Sequence, residues 1–81
     1  MTDVTHLPDH ARFESGAAYL TYREADGRFD IQHTVVPPEM EGQGIGGALV
    51  KAAVDYAQEA GLELVVTCPF AKKWLEKHPV G

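Results

Sequence analysis

Three groups of residues in this chain carry chemistry by their type and spacing. Cys68 closes a mostly apolar run, residues 62–68, and is followed at once by Pro69. Proline suits the first position of a helix, which puts Cys68 at the cap, where the helix dipole and free N–H groups favour a nucleophilic thiolate. The competing reading is a small buried residue at a strand end, since free cysteines are among the most buried residues. His33 lies in the alternating run 29–36, on one face with Phe29, Ile31 and Val35. An imidazole there is either a base working near neutral pH or a half-buried packing residue with its hydrogen bonds satisfied. The third group is the run Glu41-Gly42-Gln43-Gly44-Ile45-Gly46-Gly47, with four glycines in six residues. Glycine lets backbone approach a ligand closely, and free N–H groups at a helix start can hold phosphate oxygens.

Two familiar phosphate-binding loops do not fit. Gly46-Gly47-Ala48 stands where a Walker loop needs Gly-Lys-Ser/Thr. Gly42, Gly44 and Gly47 do stand at Gly-x-Gly-x-x-Gly spacing, but the next strand ends in Val66-Thr67-Cys68 without the ribose-binding acid that a dinucleotide site needs. Nucleoside triphosphate hydrolysis and nicotinamide binding are therefore not expected. His6, His10 and His78 are far apart and have no cysteine beside them, so no metal site is expected.

The elements that must position these groups follow from periodicity. Residues 1–9 are polar, carry Pro8 and read as a loose lead-in, and residues 10–14 suggest a short strand centred on Phe13. Residues 17–24 and 29–36 alternate with a period of two, and the turn dipeptide Asp26-Gly27 joins them. An antiparallel meander is the expected result. The helical run 48–60 brings Ile45, Leu49, Ala52, Tyr56 and Ala60 to one side, widened by Val50, Ala53, Val54 and Ala57, so it should pack flat on a sheet. Gly61 suits the left-handed residue that ends a helix. The strand 62–68, reached through that helix, should lie parallel to strand 29–36. A short last helix from Pro69, with Phe70, Trp74 and Leu75 toward the sheet, stops at His78-Pro79. The expected fold is α/β (α+β): one domain over 1–81, with a mixed sheet of about four strands, a long helix and a short C-terminal helix.

Eighty-one residues allow one modest core. A net charge of −5, from 12 acids against 7 Lys and Arg, argues against a nucleic-acid partner and mildly favours a cationic one. One cysteine cannot form an internal disulfide, which points to a reducing compartment. Residues 1–11 lack the pattern of a leader, and no apolar run reaches 18 residues, so a cytoplasmic protein without membrane contact is expected.

Together these residues resemble the small, single-domain proteins of the Gcn5-related N-acetyltransferase (GNAT) superfamily. The superfamily signature, Gln or Arg, two residues, Gly, one residue, then Gly or Ala, falls on Glu41, Gly44 and Gly46. The small members' His-Thr pair followed by Val and Pro matches His33-Thr34, Val36 and Pro37. Their Cys-Pro-Phe matches residues 68–70, and their closing His-Pro matches His78-Pro79. The likeness runs from about Phe13 to Pro79. It implies a truncated GNAT-like fold that binds acetyl-CoA or another acyl-CoA at the splay of two parallel strands. Glu41, Gly42, Gln43, Gly44, Ile45, Gly46 and Gly47 would hold the pyrophosphate, and Thr34, Val35 and Val36 would pair with the pantetheine amides. Trp74 stands about where many relatives have a tyrosine acting as general acid.

The expected function is acyl transfer from acyl-CoA to an amine, with Cys68 and His33 as the candidate catalytic residues. Two alternatives stay open, a non-catalytic CoA-binding module and a small interaction protein using its sheet edge.

Overall fold

Short turns set the register of the sheet. The computed structural model describes residues 3–78 and runs β1 (Thr5–Leu7), β2 (Arg12–Ser15), β3 (Ala18–Ala25), β4 (Arg28–Val35), α1 (Ile45–Glu59), β5 (Glu63–Val66) and α2 (Pro69–Lys77). Single 3-10 turns occupy Pro8–His10 and Pro38–Met40. Between β3 and β4, Asp26 and Gly27 both take positive φ, 55° and 75°, as a two-residue hairpin between right-twisted strands requires. The sheet order is β1-β2-β3-β4-β5. The first four strands are antiparallel, and β5 returns through α1 to lie parallel to β4. Helix α1 ends in a Schellman closure, with Leu62 N–H bonding the Ala57 carbonyl at 2.9 Å and Gly61 N–H that of Gln58 at 3.2 Å.

The mixed sheet, long helix and short last helix are those expected, but the strand count is five. The additional strand comes from the stretch read as a loose lead-in. His6 explains why it is ordered: its ring stacks on Phe13 at 4.1 Å, with 3° between the planes, and its Nε2 lies 2.7 Å from the Tyr22 hydroxyl. A three-residue strand is too short to show a period, and a histidine that faces the core reads as polar in sequence. The stop assigned to His78-Pro79 falls partly outside the described residues.

One face of the sheet carries the core. Phe13, Leu20, Tyr22, Phe29 and Ile31 are buried against Ile45, Leu49, Val50, Ala53, Val54 and Ala57 of α1. The stripe is centred further round than expected: Ala52 and Tyr56 flank it half-buried, and Ala60 is exposed. Ala53 and Ala57 let the helix axis come close to the strands. Both helices contribute to this core, and among the described residues the opposite face of the sheet has no helix over it. There Arg12 lies 3.9 Å above the Tyr19 ring and 2.9 Å from Glu14.

The face assignment of strand 29–36 needs correction. Tyr22 pairs with Ile31 but Thr21 pairs with His33, so Gln32 is an extra residue in β4, a β-bulge. Up to Ile31 the odd-numbered residues face the core. Beyond Gln32 the phase reverses: Thr34, opposite buried Leu20, turns toward the helices, and His33 and Val35 turn to the open face.

Burial holds the pKa of His6 below the ordinary histidine value of 6.5, with the Glu24 charge acting more weakly in the opposite sense. The unfolded chain therefore takes up this proton first, and stability is lost as pH falls from about 6.5 through the folded value. Above 6.5 the contribution is complete. His6→Phe, which cannot titrate, should show a smaller fall in its urea midpoint from pH 7 to pH 5 than the parent chain. Equal falls would show that another group carries the acid sensitivity.

Candidate functional site

The site forms where β4 and β5 part. Their last paired residues are Ile31 and Val66, after which the N–H groups of Thr67 and Cys68 both reach the Ile31 carbonyl at 3.0 Å. Beyond that point β4 has no parallel neighbour, so backbone groups of its last residues face the gap. The chain then turns through Pro37 and the 3-10 turn into the glycine loop. Gly44 is the N-cap of α1 at φ 76° and uses no side-chain cap. The first i→i−4 bond is Ala48 N–H to the Gly44 carbonyl at 3.0 Å, which leaves the N–H groups of Ile45, Gly46 and Gly47 without partners in the helix.

Gly46 and Gly47 serve a different purpose. A Cβ on Gly46 would stand 2.6 Å from the Phe70 ring, and one on Gly47 would run into the indole Nε1 of Trp74. Two aromatic side chains of α2 thus rest on the first turn of α1. They do not face the sheet as their helical spacing suggests. Only Ala71 of α2 is fully buried, while Phe70 is 46 % exposed. Trp74 stacks on His78 at 4.3 Å, and the His78 Nδ1 lies 3.0 Å from the Trp74 carbonyl.

Between these elements lies a cleft of about 960 Å³. Its sides are Thr34, Val35 and Val36, then the glycine loop and first turn of α1, then Phe70, Trp74 and His78. Glu41 stands at the loop. Lys51, one helical turn further in, also lines the cleft and pairs with Asp55 at 2.8 Å. No sequence signal marks Lys51, because only the turn of the loop brings its side of the helix to the cleft. Met40 likewise joins the lining. Of the expected cofactor-binding residues, Gln43 alone does not line the cleft.

Cys68 and His33, the two candidate catalytic residues, are on opposite sides of the sheet, because the Gln32 bulge turns His33 outward. His33 is exposed on the open face. Cys68 is 4 % exposed and does not line the cleft. Its thiol instead lies 3.6 Å from Thr34 Oγ1, as a donor to that oxygen. Thr34 therefore stands between the buried thiol and the cleft. Among the described residues no group of three or more His, Cys, Asp and Glu side chains is placed to hold a metal ion. No described helix is long and apolar enough to cross a membrane.

A strand splay beside a glycine-capped helix is the arrangement that the GNAT resemblance implies, and sequence comparison agrees. The pattern of the GCN5-related N-acetyl-transferase family matches residues 10–80, and the chain belongs to that family. It is 39 % identical over 64 residues to Protein NATD1 of Bos taurus, covering 78 % of this chain and 57 % of that protein. Protein NATD1 of Homo sapiens is 38 % identical over the same length, with the same coverage of both chains. The chain thus spans less than two thirds of these relatives. The solution NMR structure of a GCN5-like protein from Staphylococcus aureus superposes with a TM-score of 0.75 at 34 % identity, covering 95 % of this chain and 80 % of that one.

Proposed function

We propose that the chain transfers an acyl group, acetyl in the first instance, from acyl-CoA to an amine. The observation that carries this reading is the coincidence of strand splay and helix start: the gap after Ile31 opens into the same cleft as the glycine-capped turn of α1. Acyl-CoA would supply an activated carbonyl carbon with a thiol leaving group. The unpaired N–H groups of Ile45, Gly46 and Gly47, at the positive end of a 15-residue helix, suit the pyrophosphate. Backbone of Thr34, Val35 and Val36 would pair with the pantetheine amides, and N–H groups at the end of β4 would meet charge developing on the acyl oxygen. Phe70 and Trp74 add apolar surface to one side of the cleft.

The amine would arrive from the open face of the sheet. His33, exposed there beside the gap, is the candidate base for its ammonium proton. The net charge of −5 favours a cationic acceptor, such as a polyamine or a lysine-rich peptide.

A second reading, a CoA-binding module without turnover, draws on one observation: Trp74 occupies the cleft side, and its indole N–H can donate a hydrogen bond but is far too weak an acid to protonate a thiolate. Thiol release from acetyl-CoA across a panel of polyamines, amino acids and lysine peptides separates the two. Release that depends on the amine and saturates with it supports transfer, and His33→Gln should then cost most of the rate at pH 7 and less at pH 9. Background hydrolysis alone, with CoA bound, leaves the binding module. Failure to bind CoA removes both readings.

A further inference from the structure

We propose that Thr34 and Cys68 form a proton relay to the sulfur of the departing thiol, with Thr34 as the group that touches it and Cys68 as the positioning residue that resupplies the proton. The inference rests on the acyl-transfer reading above and adds to it an acid for the leaving thiol. Three observations meet here. Thr34 lines the cleft at the mouth of the strand splay, on the helix side of the sheet. Its Oγ1 is 3.6 Å from Cys68 Sγ, which acts as donor to it. A hydroxyl that accepts from a thiol keeps its own proton for one further bond, and the cleft is the side left open to it. Along the cleft, Lys51 is paired with Asp55, His78 is held at the Trp74 carbonyl, and the Trp74 indole is too weak an acid.

Burial decides how the thiol takes part. An acyl group on Cys68 would need room beside a residue that is 4 % exposed and has no share in the cleft surface. A proton needs only the hydrogen bond already present. Threonine alone is too weak an acid for the task. With Cys68 behind it, the proton that threonine gives up is replaced from a second thiol as it leaves.

The atoms balance without a co-reactant. The amine nitrogen bonds to the acyl carbon and gives up one proton, through His33 or water. The carbon–sulfur bond breaks, and its electron pair stays on sulfur. Thr34 passes its hydroxyl proton to that sulfur as Cys68 passes its thiol proton to Thr34. Water entering the emptied cleft returns a proton to Cys68 by the same two steps reversed.

The test uses Thr34→Val, Thr34→Ser, Cys68→Ser and Cys68→Ala, with CoA and desulfo-CoA as binding probes and the best amine of the panel as acceptor. In the parent chain CoA should bind roughly two- to tenfold tighter than desulfo-CoA, the worth of one ordinary hydrogen bond. Thr34→Val should bind both equally. In turnover, Thr34→Val should lose about 100-fold in kcat at unchanged KM for acetyl-CoA, the low end for a general acid, and Thr34→Ser should recover most of it. Cys68→Ser keeps the hydrogen bond but not the acidity, so it should fall nearly as far as Cys68→Ala. Full turnover in Thr34→Val, or an acetyl mass on Cys68 after incubation with acetyl-CoA alone, overturns the relay and leaves acyl transfer standing. Absence of CoA binding or of any amine-dependent release overturns the acyl-transfer reading, and the relay with it.

Discussion

Gly44→Val should remove calorimetric binding of CoA while circular dichroism still reports a folded chain. Gly44 caps α1 at φ 76°, and a Cβ there meets nothing within 4 Å. The cost is therefore conformational, about 1–2 kcal/mol or more for a β-branched residue in the left-handed region. The loop can escape that strain by returning to negative φ, but this swings the N–H groups at the head of α1 away from a common anion. Each charge-assisted bond to such an anion is worth about 1.5–3 kcal/mol. Loss of two would weaken binding by about 10²–10⁴-fold. Undiminished affinity in a folded Gly44→Val chain would remove the pyrophosphate from this loop. Glu41→Arg, in the same titration, should move the other way. It takes a negative charge from the cleft edge and offers a positive one, a gain of about 0.5–1 kcal/mol at low salt that fades as salt rises.

The second large effect is on folding. Phe29 is fully buried, stacks on Tyr22 at 4.4 Å and lies 5.6 Å from the Tyr56 ring. Phe29→Ala should cost about 3–5 kcal/mol. A chain of this length has about 4–12 kcal/mol in all, at roughly 0.05–0.15 per residue, so the variant should have lost a large part of its urea midpoint or be partly unfolded in buffer. Val65, 37 % exposed on the face without helices, is the control. Val65→Ala should stay within about 0.5 kcal/mol. Equal shifts in the two variants would mean that the core is not where the burial puts it.

Much of this organisation could be read before any coordinates. The glycine loop, the helix behind it, the Asp26-Gly27 hairpin and the parallel return strand each have a local cause: a period of 3.6, a left-handed turn or a helix stop. The bulge at Gln32 has none. Residues 29–36 alternate equally well with or without an extra residue. What decides is the neighbouring strand, where Leu20 and Tyr22 both need burial and must face Thr34 and Ile31. That one residue separates His33 from Cys68 and brings Thr34 to the thiol. The aromatic residues of α2 were misplaced for a similar reason. A helical period gives the face but not the neighbour, and Gly46 and Gly47, assigned wholly to phosphate, are also the bare patch on which Phe70 and Trp74 sit.

The shared Ile31 carbonyl makes the two strands a fork with a clasped crotch. Two N–H groups close on one oxygen there, so the fork cannot spread at its base without breaking both bonds together. One tine is held by the whole meander, and the other continues into a nine-residue helix with a single fully buried side chain. Strain from a bulkier acyl chain would therefore be taken up by tilting that helix, as a jaw moves on a fixed hinge, and the strands would stay where they are. Tolerance for acyl length would then depend on how firmly Phe70 and Trp74 grip the glycines below them, and a looser grip would widen it without disturbing the hydrogen bonds at the fork.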